Sequence, residues 1–305
     1  MEQVYPWQSA LQARWMQPGE PRHHALLFYG KAGIGKLAFA RAMAATLLCM
    51  QPSEGVACGR CEACHWLQEG SHPDYREVAF EDSDVAEDTK RKTRKRQQIS
   101  IDQIRQLHDY LSLSNHQVDG VRVVLIQPLE AMNTAAANAL LKLLEEPPPR
   151  TQFLLVSHQL QALLPTILSR CFQVEMPSPA REQGMAWLAG QGVAQPAWYW
   201  QYTAGAPIGM VAELSEVDWH GWYQQWRTHL LQGAALDITA AGTLLMKQGM
   251  AQAIQALQKW LVDVWLSCYQ LPLRYHHGEE SGLARLAATV QLSQLLAFQQ
   301  QLNRF

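Results

Sequence analysis

Four of the six cysteines, Cys49, Cys58, Cys61 and Cys64, fall within sixteen positions, while Cys171 and Cys268 stand alone. The pattern Cys-x8-Cys-x2-Cys-x2-Cys supplies four thiolates, enough to close a tetrahedral Zn²⁺ shell and leave no open catalytic position. Two consecutive x2 spacings are a specific signal. An iron–sulfur cluster and a redox dithiol are the competing chemistries, and neither accounts as simply for an insertion that follows a helix. His65 and His72 are alternative ligands in place of one sulfur, but each reads first as an ordinary loop residue.

A second cluster precedes the cysteines. Gly30-Lys31-Ala32-Gly33-Ile34-Gly35-Lys36-Leu37 fits G-x-x-x-x-G-K-[ST] at every fixed position but the last. Gly30, Gly33 and Gly35 let backbone amides wrap phosphate oxygens, Lys36 reaches terminal phosphates, and the following helix aims its positive end at them. Leu37 has no hydroxyl for Mg²⁺. A complete site also needs an acid at the end of a later strand, where this chain has Gln127-Pro128, with Glu130 three residues further on as a poor substitute. Two metal-binding positions are lost together, so the expectation is a vestigial phosphate loop that does not hydrolyse ATP and binds it weakly or not at all.

These groups need a scaffold. Ala25-Leu26-Leu27-Phe28-Tyr29, ended by Gly30, reads as a buried strand, and Leu37 to Leu48 as the helix behind the loop. Val121–Ile126 and Phe153–Val156 read as further strands, separated by a helix from Asn133 to Glu146 that Pro147-Pro148-Pro149 closes. Strands alternating with helices predict an α/β fold with a mostly parallel sheet. Beyond about residue 176 the β-branched runs vanish, and eight of the eleven tryptophans lie at or after Trp187, so the remainder is predicted helical. Pro177 and Pro179 mark a linker, and Gly205-Ala206-Pro207 marks a turn between a small helical unit and a larger one. Trp219, Trp222, Trp226, Trp260 and Trp265 offer more aromatic surface than one small bundle needs, which suggests an assembly face.

At 305 residues the chain has room for two domains or three small ones. Its net charge of −2 argues against a dedicated nucleic-acid coat protein. No apolar stretch approaches the ~20 residues of a membrane span, and Met1 to Pro6 carry no basic segment leading into an apolar one, so a cytoplasmic location without membrane partners is expected. The run Lys90, Arg91, Lys92, Arg94, Lys95 and Arg96 follows a block of acids and reads as a solvated loop, with a DNA-contacting patch as the alternative.

The chain resembles the bacterial AAA+ clamp-loader family of DNA polymerase III. The resemblance rests on His24-Ala25-Leu26-Leu27-Phe28 before the phosphate loop, on the four-cysteine insertion and on His72-Pro73-Asp74 after it. It continues through Ile104-Arg105, Asn138-Ala139-Leu140-Leu141-Lys142-Leu143-Leu144-Glu145-Glu146-Pro147 and Leu164-Pro165-Thr166-Ile167-Leu168-Ser169-Arg170-Cys171. It implies an AAA+ P-loop domain over residues 1–175 with a structural zinc module at about 49–64, a small helical lid over 176–210, and an all-α collar over 211–305. As partners it implies the ATPase motor subunits and a delta subunit in a hetero-pentamer, with the sliding clamp and primed DNA reached through the complex. Ser169-Arg170-Cys171 is similar to the motif whose arginine enters a neighbouring subunit's ATP site. An ATP-hydrolysing subunit of the same family and a zinc-dependent DNA-binding module are the alternatives.

Overall fold

Five short strands form one wholly parallel sheet in the order β2-β3-β4-β1-β5: β1 (Ala25–Tyr29), β2 (Tyr75–Val78), β3 (Arg122–Ile126), β4 (Thr151–Ser157) and β5 (Phe172–Glu175). The structure, a computed structural model, describes residues 4–16, 23–80, 98–112, 120–209, 219–247 and 249–302. The basic run 90–96 lies outside them. The chain divides into two units, residues 1–178 and 179–305.

In the first unit the central strands read as near-continuous apolar runs because helices cover both faces of a parallel sheet. Leu27 pairs with Leu155, which in turn lies beside Ile126, and all three are fully buried. The edge strands β2 and β5 bury only Val78 and Val174, and for that reason neither shows as an apolar run in the sequence. Helix α1 (Ser9–Trp15) precedes β1, and α2 (Lys36–Leu48) and α3 (Glu62–Gln68) follow it. In α4 (Ile101–Ser112), Ile104, Leu107 and Leu111 form a buried stripe at helical spacing. Its start is fixed reciprocally: the Gln103 backbone N–H donates to Ser100 Oγ at 3.3 Å and the Ser100 N–H to Gln103 Oε1 at 2.8 Å. Helix α5 (Thr134–Glu145) begins at Asn133, whose side chain accepts from the Ala136 N–H at 2.8 Å, and stops before the three prolines. The single turn α6 (Pro165–Leu168) leads into β5.

All described regular structure in the second unit is helical: α7 (Arg181–Gly190), α8 (Pro196–Tyr202), α9 (Trp219–Leu230), α10 (Ile238–Met246), α11 (Met250–Cys268), α12 (Glu280–Ala287) and α13 (Leu292–Leu302). One apolar cluster runs from Leu188, Tyr199 and Tyr202 to Leu302. Trp222, Trp226 and Trp260 are buried in it, with Trp222 and Trp226 one helical turn apart and stacked at 6.0 Å. These rings therefore supply core rather than the assembly face expected of them. The exposed apolar residues of this unit include Tyr269, Leu271, Leu292, Leu296 and Phe298. Among the described residues no helix is long and apolar enough to cross a membrane.

Candidate metal centre and phosphate loop

The four clustered cysteines come from two helix ends and the loop between them. Cys49 closes α2, Cys61 caps the start of α3, and Cys64 is buried in the first turn of α3. Cys58 reaches them across Gly59, whose φ of 72° gives the left-handed kink between the two helices. All four sulfurs lie within 4.8 Å of one another. Cys49 Sγ is 3.9 Å from Cys61 Sγ, and Cys58 Sγ is 4.0 Å from Cys64 Sγ. A tetrahedral Zn²⁺ with Zn–S of ~2.3 Å sets its sulfurs about 3.8 Å apart, so the donor set and its spacing fit the ion.

Backbone groups already address the sulfurs. The Cys58 and Gln51 N–H groups donate to Cys49 Sγ at 3.2 and 3.4 Å. The Arg60 N–H and then the Cys61 N–H draw the Cys58 thiol down to about 6, against the opposing pull of burial, whereas burial pushes Cys64 up to about 12. A cation held by the four sulfurs would favour their thiolate forms. Neither histidine joins the cluster; His72 Nδ1 instead accepts from the Asp74 N–H at 3.1 Å.

The phosphate loop keeps its backbone and turns its lysine inward. Gly30, Gly33 and Gly35 take φ of 142°, 74° and 90°. Lys36 is 2 % exposed, and its Nζ donates to the carbonyls of Gly30 at 2.8 Å and Lys31 at 2.6 Å, both in its own loop. Burial pulls this ammonium down to about 8, opposed by the negative charge of Glu130. Glu130 is nearer the loop's chemistry than its sequence position suggests. Its Oε1 accepts from the His158 N–H at 2.9 Å, and its Oε2 is buried with no hydrogen-bond partner among the described residues. Leu37 and Gln127 stand where the metal-binding hydroxyl and acid are missing. The N-terminal segment also lies against the loop: Trp7 Nε1 and Gln8 Nε2 both donate to the Ile34 carbonyl at 3.0 Å. A Cβ on Gly35 would come within 2.4 Å of the Tyr5 ring.

Arg170 is built separately, two residues past α6. Its Nη1 donates to the Thr166 carbonyl at 2.9 Å and to Ser169 Oγ at 3.3 Å, and its Nη2 is 2.6 Å from Glu145 Oε1. The side chain remains 34 % exposed. The neighbouring Cys171 is pushed up to about 12 by burial and packs against the core.

A family model described as DNA polymerase III, delta subunit, matches residues 12–180. The DNA polymerase III subunit delta' of Pseudomonas aeruginosa is 37% identical over 295 residues, covering 95% of this chain and 84% of that one. The chain belongs to the DNA polymerase III delta-prime family. The delta-prime subunit of Escherichia coli is 31% identical over 261 residues, 84% of this chain and 71% of its own length. The Escherichia coli tau subunit is 34% identical over 161 residues, 53% of this chain and 23% of its own. Delta-prime proteins are AAA+ relatives of clamp-loader subunits, and the parallel sheet with its phosphate loop is the AAA+-like part of this chain.

Within this family frame, the sequence offers Glu130 only as a poor substitute acid and gives no sign of the contacts made by two other contributors. Glu130 lies in a short helical turn after β3, near enough for its charge to act on Lys36. Tyr5 to Gln8 reach it across more than twenty-five residues. Glu145 meets Arg170 from the far end of another helix, and its one local sign is its place at the close of α5, two residues before Pro147.

Proposed function

We propose that the chain is the non-hydrolysing subunit of a replicative clamp loader, one that supports ATP-driven placement of the sliding clamp on primed DNA by lending Arg170 to a neighbouring ATPase subunit. The observation that carries this reading is the pairing of a folded phosphate loop without metal-binding groups, its lysine spent on its own carbonyls, with a one-third-exposed arginine beyond α6. A guanidinium is always charged and forks onto phosphate oxygens, so it stabilises the charge that develops as a phosphoryl group transfers.

The reading assigns residues 1–175 to the AAA+ domain, 176–210 to a lid and 211–305 to a collar that joins a hetero-pentamer with motor and delta subunits. It places the chain in the cytoplasm as part of DNA polymerase III. Cys49, Cys58, Cys61 and Cys64 hold a structural Zn²⁺, which supplies cross-linking between α2 and α3 and no open position for catalysis.

The test is Arg170→Ala in the reconstituted complex. Arginine fingers contribute on the order of 10³–10⁵ in rate where they act alone, but a ring has several sites. The expected outcome is slower clamp-dependent ATP turnover with assembly, by sizing, unchanged. Wild-type turnover in a fully assembled variant complex overturns the finger.

A further inference from the structure

We propose that Glu145 is the positioning residue for Arg170, fixing the guanidinium before a neighbouring subunit arrives. The proposal rests on the reading of Arg170 as a donated finger. An arginine side chain is free to take many rotamers, and a finger must give up that freedom to act. Here the loss occurs within the chain. Glu145 Oε1 at 2.6 Å holds Nη2, and the Thr166 carbonyl and Ser169 Oγ hold Nη1. These contacts approach from two sides, the end of α5 and the end of α6, and together they fix the plane of the fork. The side chain stays one-third exposed, so part of the held guanidinium remains open to a neighbouring subunit.

Two features separate positioning from ordinary surface pairing. The Thr166 and Ser169 contacts are local to the α6 turn and leave the guanidinium free to pivot about Nη1. Glu145 is the non-local contact that stops the pivot. Helix α5 itself is rigidly seated, with Ala136, Leu140, Leu143 and Leu144 buried in the core, so the carboxylate rides on a fixed platform. Glu145 is half exposed, and its removal costs the fold little.

The experiment measures ATP turnover by the reconstituted complex carrying Glu145→Ala, Glu145→Gln, Arg170→Ala or the double variant Glu145→Ala/Arg170→Ala. Positioning acts on the transition state and predicts that Glu145→Ala lowers kcat about 1.4- to fivefold, the range an exposed ion pair spans, with KM for ATP unchanged. Glu145→Gln keeps an acceptor at the same place and retains most of the rate. The double variant is no slower than Arg170→Ala alone, and the melting temperature of the isolated Glu145→Ala chain matches wild type. If Arg170→Ala slows turnover while Glu145→Ala does not, or if both Glu145 variants speed it by relieving repulsion of phosphate, the positioning role is overturned and the finger stands. Wild-type turnover with Arg170→Ala removes the finger itself.

Discussion

The cysteine cluster and the phosphate loop lie at opposite ends of the same helix, α2, and the contrast between them separates a complete donor set from a retained shape. At the C-terminal end, four donors from Cys49 to Cys64 converge within 4.8 Å, with backbone N–H groups turned toward their sulfurs. At the N-terminal end the three left-handed glycines persist, yet Lys36 is bonded to its own loop and Tyr5 covers Gly35. A complete set of functional groups marks one end and a fold without its metal-binding groups marks the other. A motif match reports the backbone that a site needs, and only the side chains added to it report whether the chemistry is still there.

Metal removal gives the largest effect. Structural zinc sites contribute apparent binding energies of ~10–16 kcal/mol that are also folding energy, and this cluster joins two helix ends. One zinc per chain is expected by metal analysis. Cys64→Ser, which replaces a fully buried ligand, is expected to lose the metal and on the order of 5 kcal/mol of stability in denaturant titrations. A metal-free chain with the wild-type unfolding midpoint breaks the comparison, because the cluster would then be as vestigial as the loop.

Both α2 sites were legible in the sequence because their residues are close together in it. The strand, glycine turn and helix that carry Gly30 to Lys36 show as a change of period, and the cysteines show as spacing. The central strands were legible for the same reason. Edge strands β2 and β5 were not, since each buries a single valine. Contacts across long sequence separations were invisible in the same way, and the second unit holds the sharpest case. Asp263 is fully buried on α11 and accepts from the N–H groups of Arg274, Tyr275 and His276 at 2.7–2.9 Å and from His276 Nδ1 at 2.7 Å. His276 in turn hydrogen-bonds the Tyr223 hydroxyl. The three residues imitate a catalytic relay, but all are buried and every contact named here stays inside the fold.

That network gives the second effect. Burial pushes the Asp263 carboxyl up, but the His276 and backbone bonds outweigh it and hold the group below the usual carboxylate range. Its stabilisation is therefore present above the unfolded carboxylate value near 4 and is lost as pH falls through the lower folded value. Asp263→Ala leaves three backbone donors and a histidine without their acceptor, and is expected to cost about 3–5 kcal/mol. Unfolding titrations at pH 7 check the size, and an acid series checks the window. A loss under ~1 kcal/mol would mean that water replaces the carboxylate, and that the network is not closed.

The smallest effect returns to Lys36 and tests whether the loop's lysine now belongs to the fold. Its value falls from 10.5 to about 8 on folding, chiefly through burial. The folded chain therefore penalises the charged form, and between about pH 8 and 10.5 the unfolded chain binds more protons than the folded one. Stability contributed by this group rises with pH across that window. Lys36→Met removes the titration while keeping a long side chain, so the wild type is expected to gain on the order of 2–3 kcal/mol relative to the variant between pH 7.5 and 10.5. Tyrosines and cysteines titrate in the same range but are common to both proteins and cancel in the difference. Millimolar ATP at pH 7.5 is expected to leave both melting temperatures where they are. A pH-independent difference, together with an ATP-dependent rise in the wild type alone, would show Lys36 exposed to solvent and ready for phosphate, and the two ends of α2 would then be alike in having kept their chemistry.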